Sequence, residues 1–171
     1  MIDRSVRHVV SLGLAVGAIL GMAGTFAPSP TLRGLAWGLD GVGLVMAGAL
    51  LTVAFSRVGR DLAGAGFFVF TIGQALILST AAMDLGAGIP AFGAGLALWA
   101  AGLVLVGVSG VFPIAVRALG FAAAVLFGVT ALQIFAGALI TPTSSPLPFY
   151  AYPVFVATLA SWILALWRRQ T

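Results

Sequence analysis

Six apolar runs of about 20 residues, separated by short stretches rich in proline, glycine and arginine, constrain this chain more than any other feature. They cover residues 9–27, 34–55, 62–83, 91–112, 118–140 and 149–167. At about 1.5 Å of rise per residue, a run of this length makes a helix of roughly 30 Å, the thickness of a bilayer's hydrocarbon core. Each run is therefore expected to cross a membrane once. Ala27-Pro28-Ser29-Pro30 closes the first run and residues 57–61 the second; residues 84–90 close the third, Pro113 with Arg117 the fourth, and 141–148 the fifth. None of these breaks is long enough to hold a separate soluble unit. The expectation is one all-α domain over residues 1–171, a polytopic bundle of six consecutive antiparallel transmembrane helices.

Composition agrees. Hydrophobic residues make up 61% of the chain and charged residues 7%, with a mean hydropathy of +1.18. A soluble domain carries roughly 25% charged residues. Eight basic and four acidic side chains cannot cover a soluble surface of this size, so the principal partner is the lipid bilayer.

The net charge of +4 would suggest nucleic acid in a soluble protein, but no basic stripe interleaved with aromatics exists to follow phosphates. All the basic residues are Arg, and they mark orientation instead. With the N-terminus inside, Arg4, Arg7, Arg57, Arg60, Arg117, Arg168 and Arg169 are cytoplasmic and only Arg33 is outside. This pattern implies a multi-pass protein of a cell inner membrane with both termini cytoplasmic. Residues 1–10 are basic, 11–20 apolar and 21–23 small, an order that also fits a secretory signal peptide. The apolar run continues past that point to Ala27, which favours a span. Tyr150 and Tyr152 are expected at the outer interface and Trp167 at the inner one; Trp99 and Trp162 lie deeper, as packing or lipid-facing residues.

Several function classes fall away. The chain has no Cys, no Glu and one His, and His8, Asp3, Asp40, Asp61 and Asp84 are too scattered to form a metal site. Intramembrane proteolysis needs paired aspartates, a Ser/His pair or a His-Glu metal motif at depth, and none is present. The glycines recur at helix spacing rather than in a nucleotide-binding loop, and His8 is badly placed for a haem. No enzyme activity, metal or cofactor is expected.

The glycines point to packing. Gly13, Gly17 and Gly21 recur every four residues, followed by Gly24, and form a face that a second backbone can approach, either within the bundle or in a homo-oligomer. Gly34, Gly38, Gly41 and Gly48 fall within about 80° of one another on the second helix. Asp40 lies on the shoulder of that face beside Ala36, Gly43 and Ala47. Residues 12–51 and 96–140 share an order of Gly-rich helix, Pro-containing break, Arg and Ala-Gly-Ala-Leu, which suggests a 3+3 inverted repeat. Phe112-Pro113, Arg117-Ala118-Leu119-Gly120 and Gly128 resemble the proline-and-basic start and Gly-spaced helix of several families of uncharacterised bacterial six-helix inner-membrane proteins. That resemblance covers one hairpin, without the Trp often found there, and implies a bacterial inner-membrane protein with no active-site residues carried over.

Polar residues at depth are few. Thr71 and Gln74 in the third run, and Thr130 and Gln133 in the fifth, share the spacing Thr-x-x-Gln, which places each pair on one helix face. With Asp40 they make a candidate polar site open to the outside. A charged Asp in mid-span costs roughly 2.5 to 3.5 kcal/mol on insertion scales, so such a residue faces a bundle interior or a watery cavity. The competing reading is that these groups only tie helices together, with Asp40 paired to Arg33. Asp84 is expected in an outer loop, Asp61 at a helix start and His8 as an interfacial anchor. Two functions follow: an accessory or scaffold subunit of a larger membrane complex, favoured by the sparse polar inventory, or a small-solute or proton transporter or channel with its site around Asp40.

Overall fold

The computed structural model describes residues 3–81 and 83–168; Arg169, one of the arginines used above for orientation, lies outside them. Six helices follow in chain order: α1 (Arg4–Thr25), α2 (Pro30–Arg57), α3 (Asp61–Thr80), α4 (Ile89–Val108), α5 (Ile114–Phe135) and α6 (Ala151–Arg168). All six are long and apolar enough to cross a membrane. The chain is thus an all-helical, multi-pass integral membrane protein.

The starts of α1, α2 and α3 lie ahead of their apolar runs, where polar groups rather than hydropathy mark them. Asp3 accepts the Ser5 N–H at 2.7 Å to start α1. Ser29 accepts the Leu32 N–H at 3.3 Å to start α2, with Pro30 in the first turn where its missing N–H costs nothing. Asp61 places a carboxylate in the first turn of α3. At the far end of α5 the discrepancy runs the other way. The apolar run continues to residue 140, but the helix ends at Phe135. Gly137 takes a φ of 96°, open to glycine at little cost, and the N–H groups of Gly137 and Ala138 turn back onto the carbonyls of Ile134 and Gln133, both at 2.9 Å.

Each helix packs on its neighbours in sequence, and α6 packs back on α1, so the six close into a ring. The close contacts are made by glycine. A Cβ on Gly13 would stand 2.5 Å from the Gly43 carbonyl oxygen, and one on Gly17 would run into Leu44; Gly21 faces Asp40 and Gly24 faces Trp37. The α1 glycine face is therefore used within the chain, against α2. On α2, Gly41 and Gly48 receive Leu78 and Thr71 of α3, and Gly34 lies near the Ala81 carbonyl. Gly38, expected on the same face, meets nothing within 4 Å; the 80° arc is wider than the strip that α3 covers. At the α3–α4 seam two backbones approach closely at two levels. Gly66 lies against Gly102 and Gly73 against Gly95, each pair with Cβ-to-carbonyl distances of 2.8 to 3.0 Å in both directions.

Side chains fill the ring. At the end that carries the termini, Phe55 stacks on Phe67 (5.5 Å between centroids), Phe67 meets Trp162 edge-on (5.0 Å) and Trp162 stacks on Phe112 (6.0 Å). The α1–α6 seam is held there by Trp167, which lies 4.5 Å from the Arg7 guanidinium, 5.0 Å from the His8 ring, and donates to Ser11 at 3.0 Å. Large apolar side chains such as Leu12, Ile19, Val42, Phe68, Val125 and Leu164 project from the outside of the ring, as lipid contact requires.

A candidate polar cavity between the helices

Toward the opposite end the ring is not filled. A cavity holding about 620 Å³ of space free of protein atoms, its open mouth included, lies between α1, α2, α3, α4, α6 and the 136–150 loop. Asp40 reaches it from α2. The carboxylate finds room because Gly21 stands opposite: a Cβ there would lie 3.2 Å from Oδ2. Asp40 is only 8% exposed, and its Oδ1 is buried without a hydrogen-bond partner in the protein. Arg33 does not pair with it. That guanidinium lies 5.8 Å from the Trp37 ring centroid and donates to the Ala27 carbonyl at 3.4 Å.

Gln74 enters from α3. It is 1% exposed, and neither its Oε1 nor its Nε2 has a protein partner. Trp99 of α4 forms a third wall, with one ring face stacked on Phe70 (5.7 Å) and its Nε1–H buried and likewise unpaired. The other polar side chains lining the cavity are satisfied. Thr25 and the Trp37 indole both donate to the Gly21 carbonyl (3.1 and 3.2 Å), Thr80 donates to Ile77 (2.7 Å), and the Tyr152 hydroxyl donates to the Pro142 carbonyl (3.1 Å). Leaving a buried polar group unpaired costs about 1 to 3 kcal/mol, so native folds rarely collect such groups. Here Asp40, Gln74 and Trp99 collect them on one cavity.

The structure therefore brings together two of the five residues expected at the site, Asp40 and Gln74. Thr71 points into the α2–α3 seam against Gly48 and donates to the Phe67 carbonyl at 2.7 Å. Thr130 is fully buried in the bundle and donates to Leu126 at 2.8 Å. Gln133 is exposed. It occupies the last turn of α5, which ends earlier than its apolar run, and the roughly 60° between positions i and i+3 carries it from interior to exterior. No residue of α5 lines the cavity. Asp84 holds the α3–α4 connection by accepting the N–H groups of Gly86 and Ala87.

Trp99 and Tyr152 also line the cavity, although the sequence places Trp99 only as a packing or lipid-facing residue and Tyr152 at the outer interface. Trp99 could have been found as a Trp placed in mid-span, away from the interfacial positions that Trp usually takes. Tyr152 differs from its neighbour Tyr150, which is exposed as an interfacial residue should be. Comparison with known protein families, with curated proteins and with solved structures finds no match to this chain.

Proposed function

We propose that the protein is a small-solute transporter of a bacterial inner membrane, with its binding site in the cavity at Asp40, Gln74 and Trp99. The observation that carries this reading is the gathering of partnerless buried polar atoms on that one cavity. In a bundle held together by glycine seams, such atoms are not needed as glue, and a bound polar molecule would satisfy them. Orientation rests on Arg4, Arg7, Arg57, Arg60, Arg117 and Arg168, which argue for a cytoplasmic end carrying both termini and leave the cavity facing outward. The bacterial assignment rests on the resemblance at 112–128. Packing in ring order is compatible with α1–α3 and α4–α6 as the two halves of an inverted repeat. The accessory-subunit reading stands second, since the apolar exterior suits lipid and partner helices alike.

Because the chain has no Cys, single replacements report access cleanly. Met22→Cys, on the cavity, is expected to react in intact cells with a membrane-impermeant thiol reagent, while Phe67→Cys, among the packed rings, stays inert. An inert Met22→Cys would remove the outward cavity. Proteoliposomes in isosmotic solutions of small polar solutes should then swell with the permeant ones, and Asp40→Asn should abolish the swelling.

A further inference from the structure

We infer that the ligand of this cavity is an organic ammonium ion carrying a hydrogen-bonding group. The inference rests on the cavity being a solute site and adds the class of solute. Charge sets the sign: among the described residues, Asp40 is the lone acidic side chain on the lining, and none of the lining residues is Lys, Arg or His. A carboxylate with a buried, partnerless oxygen calls for a counter-cation. The other walls say which kind. Trp37, Phe92, Trp99, Tyr152 and Phe155 give the lining five aromatic rings, and ring faces attract cations whose charge is spread over alkyl groups.

Ca²⁺ or Mg²⁺ would want about six or more oxygen ligands and Zn²⁺ about four with His or Cys among them, and one carboxylate beside one amide, with no His or Cys on the lining, falls short of either. An aromatic-lined chamber with a single carboxylate suits a weakly hydrated organic cation. Gln74 supplies both donor and acceptor and Trp99 a donor. A hydroxyl or carbonyl on the ligand would meet them while its ammonium meets Asp40.

Calorimetric titration of the purified full-length protein with choline, and with its uncharged isostere in which carbon replaces the quaternary nitrogen, tests the charge. Choline is expected to bind saturably and the isostere at least about tenfold more weakly. Asp40→Asn should weaken choline by at least about tenfold and leave the isostere unchanged. Gln74→Leu should weaken choline but not tetramethylammonium, which has no group for the amide to meet. Equal binding of choline and the isostere by the unmodified protein overturns the cation assignment, as does the absence of saturable choline binding. In either case outward labelling of Met22→Cys shows that the solute cavity survives; loss of that labelling as well brings down both readings.

Discussion

The two ends of the bundle interior are built from the same residue types to opposite effect. Toward the termini, Phe55, Phe67, Phe112 and Trp162 stack and interlock and are all buried. Toward the other end, Trp37, Trp99, Tyr152 and Phe155 stand around a chamber in which Asp40, Gln74 and Trp99 keep polar atoms without protein partners. The rings fill the interior at the first end and stand along the wall of a chamber at the second, where Trp99 and Phe155 still meet at 4.5 Å. Trp99 belongs to both regimes, with its ring packed on Phe70 and Phe155 and its N–H left over for the chamber. For the transport reading proposed above, passage of a solute through a bundle packed at one end and hollow at the other would require the packed rings to part.

Stability measurements can break this contrast. The largest effect is expected for Phe67→Ala, which empties the centre of the packed end: a loss of about 3 to 5 kcal/mol, read as a steep fall in the unfolding temperature of the detergent-solubilised protein. Should that variant melt like the original, the packed end is not packed. Gly102→Ala ranks next. Its methyl would stand 2.8 Å from both the Gly66 carbonyl oxygen and the Phe70 nitrogen, backbone that cannot swing aside, so the α3–α4 seam must open at a cost of about 1 to 3 kcal/mol. Gly38→Ala should go the other way by about 0.5 to 1 kcal/mol, because nothing lies within 4 Å and only the glycine's helix penalty is removed. A loss at Gly38 comparable to that at Gly102 would show that the second-helix glycines act as one face after all. The smallest change is expected for Gln74→Leu. Replacing a side chain with no protein partners by an apolar one of similar size should leave the unfolding temperature unchanged or slightly higher, whereas a fall of several degrees would mean that the amide is structural glue.

Much of this architecture was legible in the sequence. Six helices follow from six apolar runs because length and hydropathy alone decide what can span. The α1 face could be read from Gly13, Gly17 and Gly21 because a four-residue spacing keeps to one side of a helix. What failed was azimuth. Thr-x-x-Gln reads alike in α3 and α5, yet Gln74 is buried and Gln133 exposed, since which arc of a helix turns inward depends on its neighbours on both sides. Hydropathy is also blind to a helix that stops inside an apolar run, and Gly137 stops α5 by backbone geometry alone. The Gly66–Gly102 and Gly73–Gly95 pairs show a third limit. Each glycine can be seen in the chain, but its opposite number is fixed only when two helices settle their register.

The early end of α5 has a consequence for how such a site would change over time. Because that helix contributes nothing to the chamber, part of the wall is chain that spans nothing: the 136–150 segment, with Pro142 on the lining and its carbonyl holding Tyr152. Residues there belong to no spanning helix, so they can be lengthened, shortened or exchanged while the glycine seams stay fixed. If the chamber is the solute site proposed above, solute preference would be an adjustable part fastened to a rigid frame, and such a site could drift from ligand to ligand without passing through an unfolded ancestor.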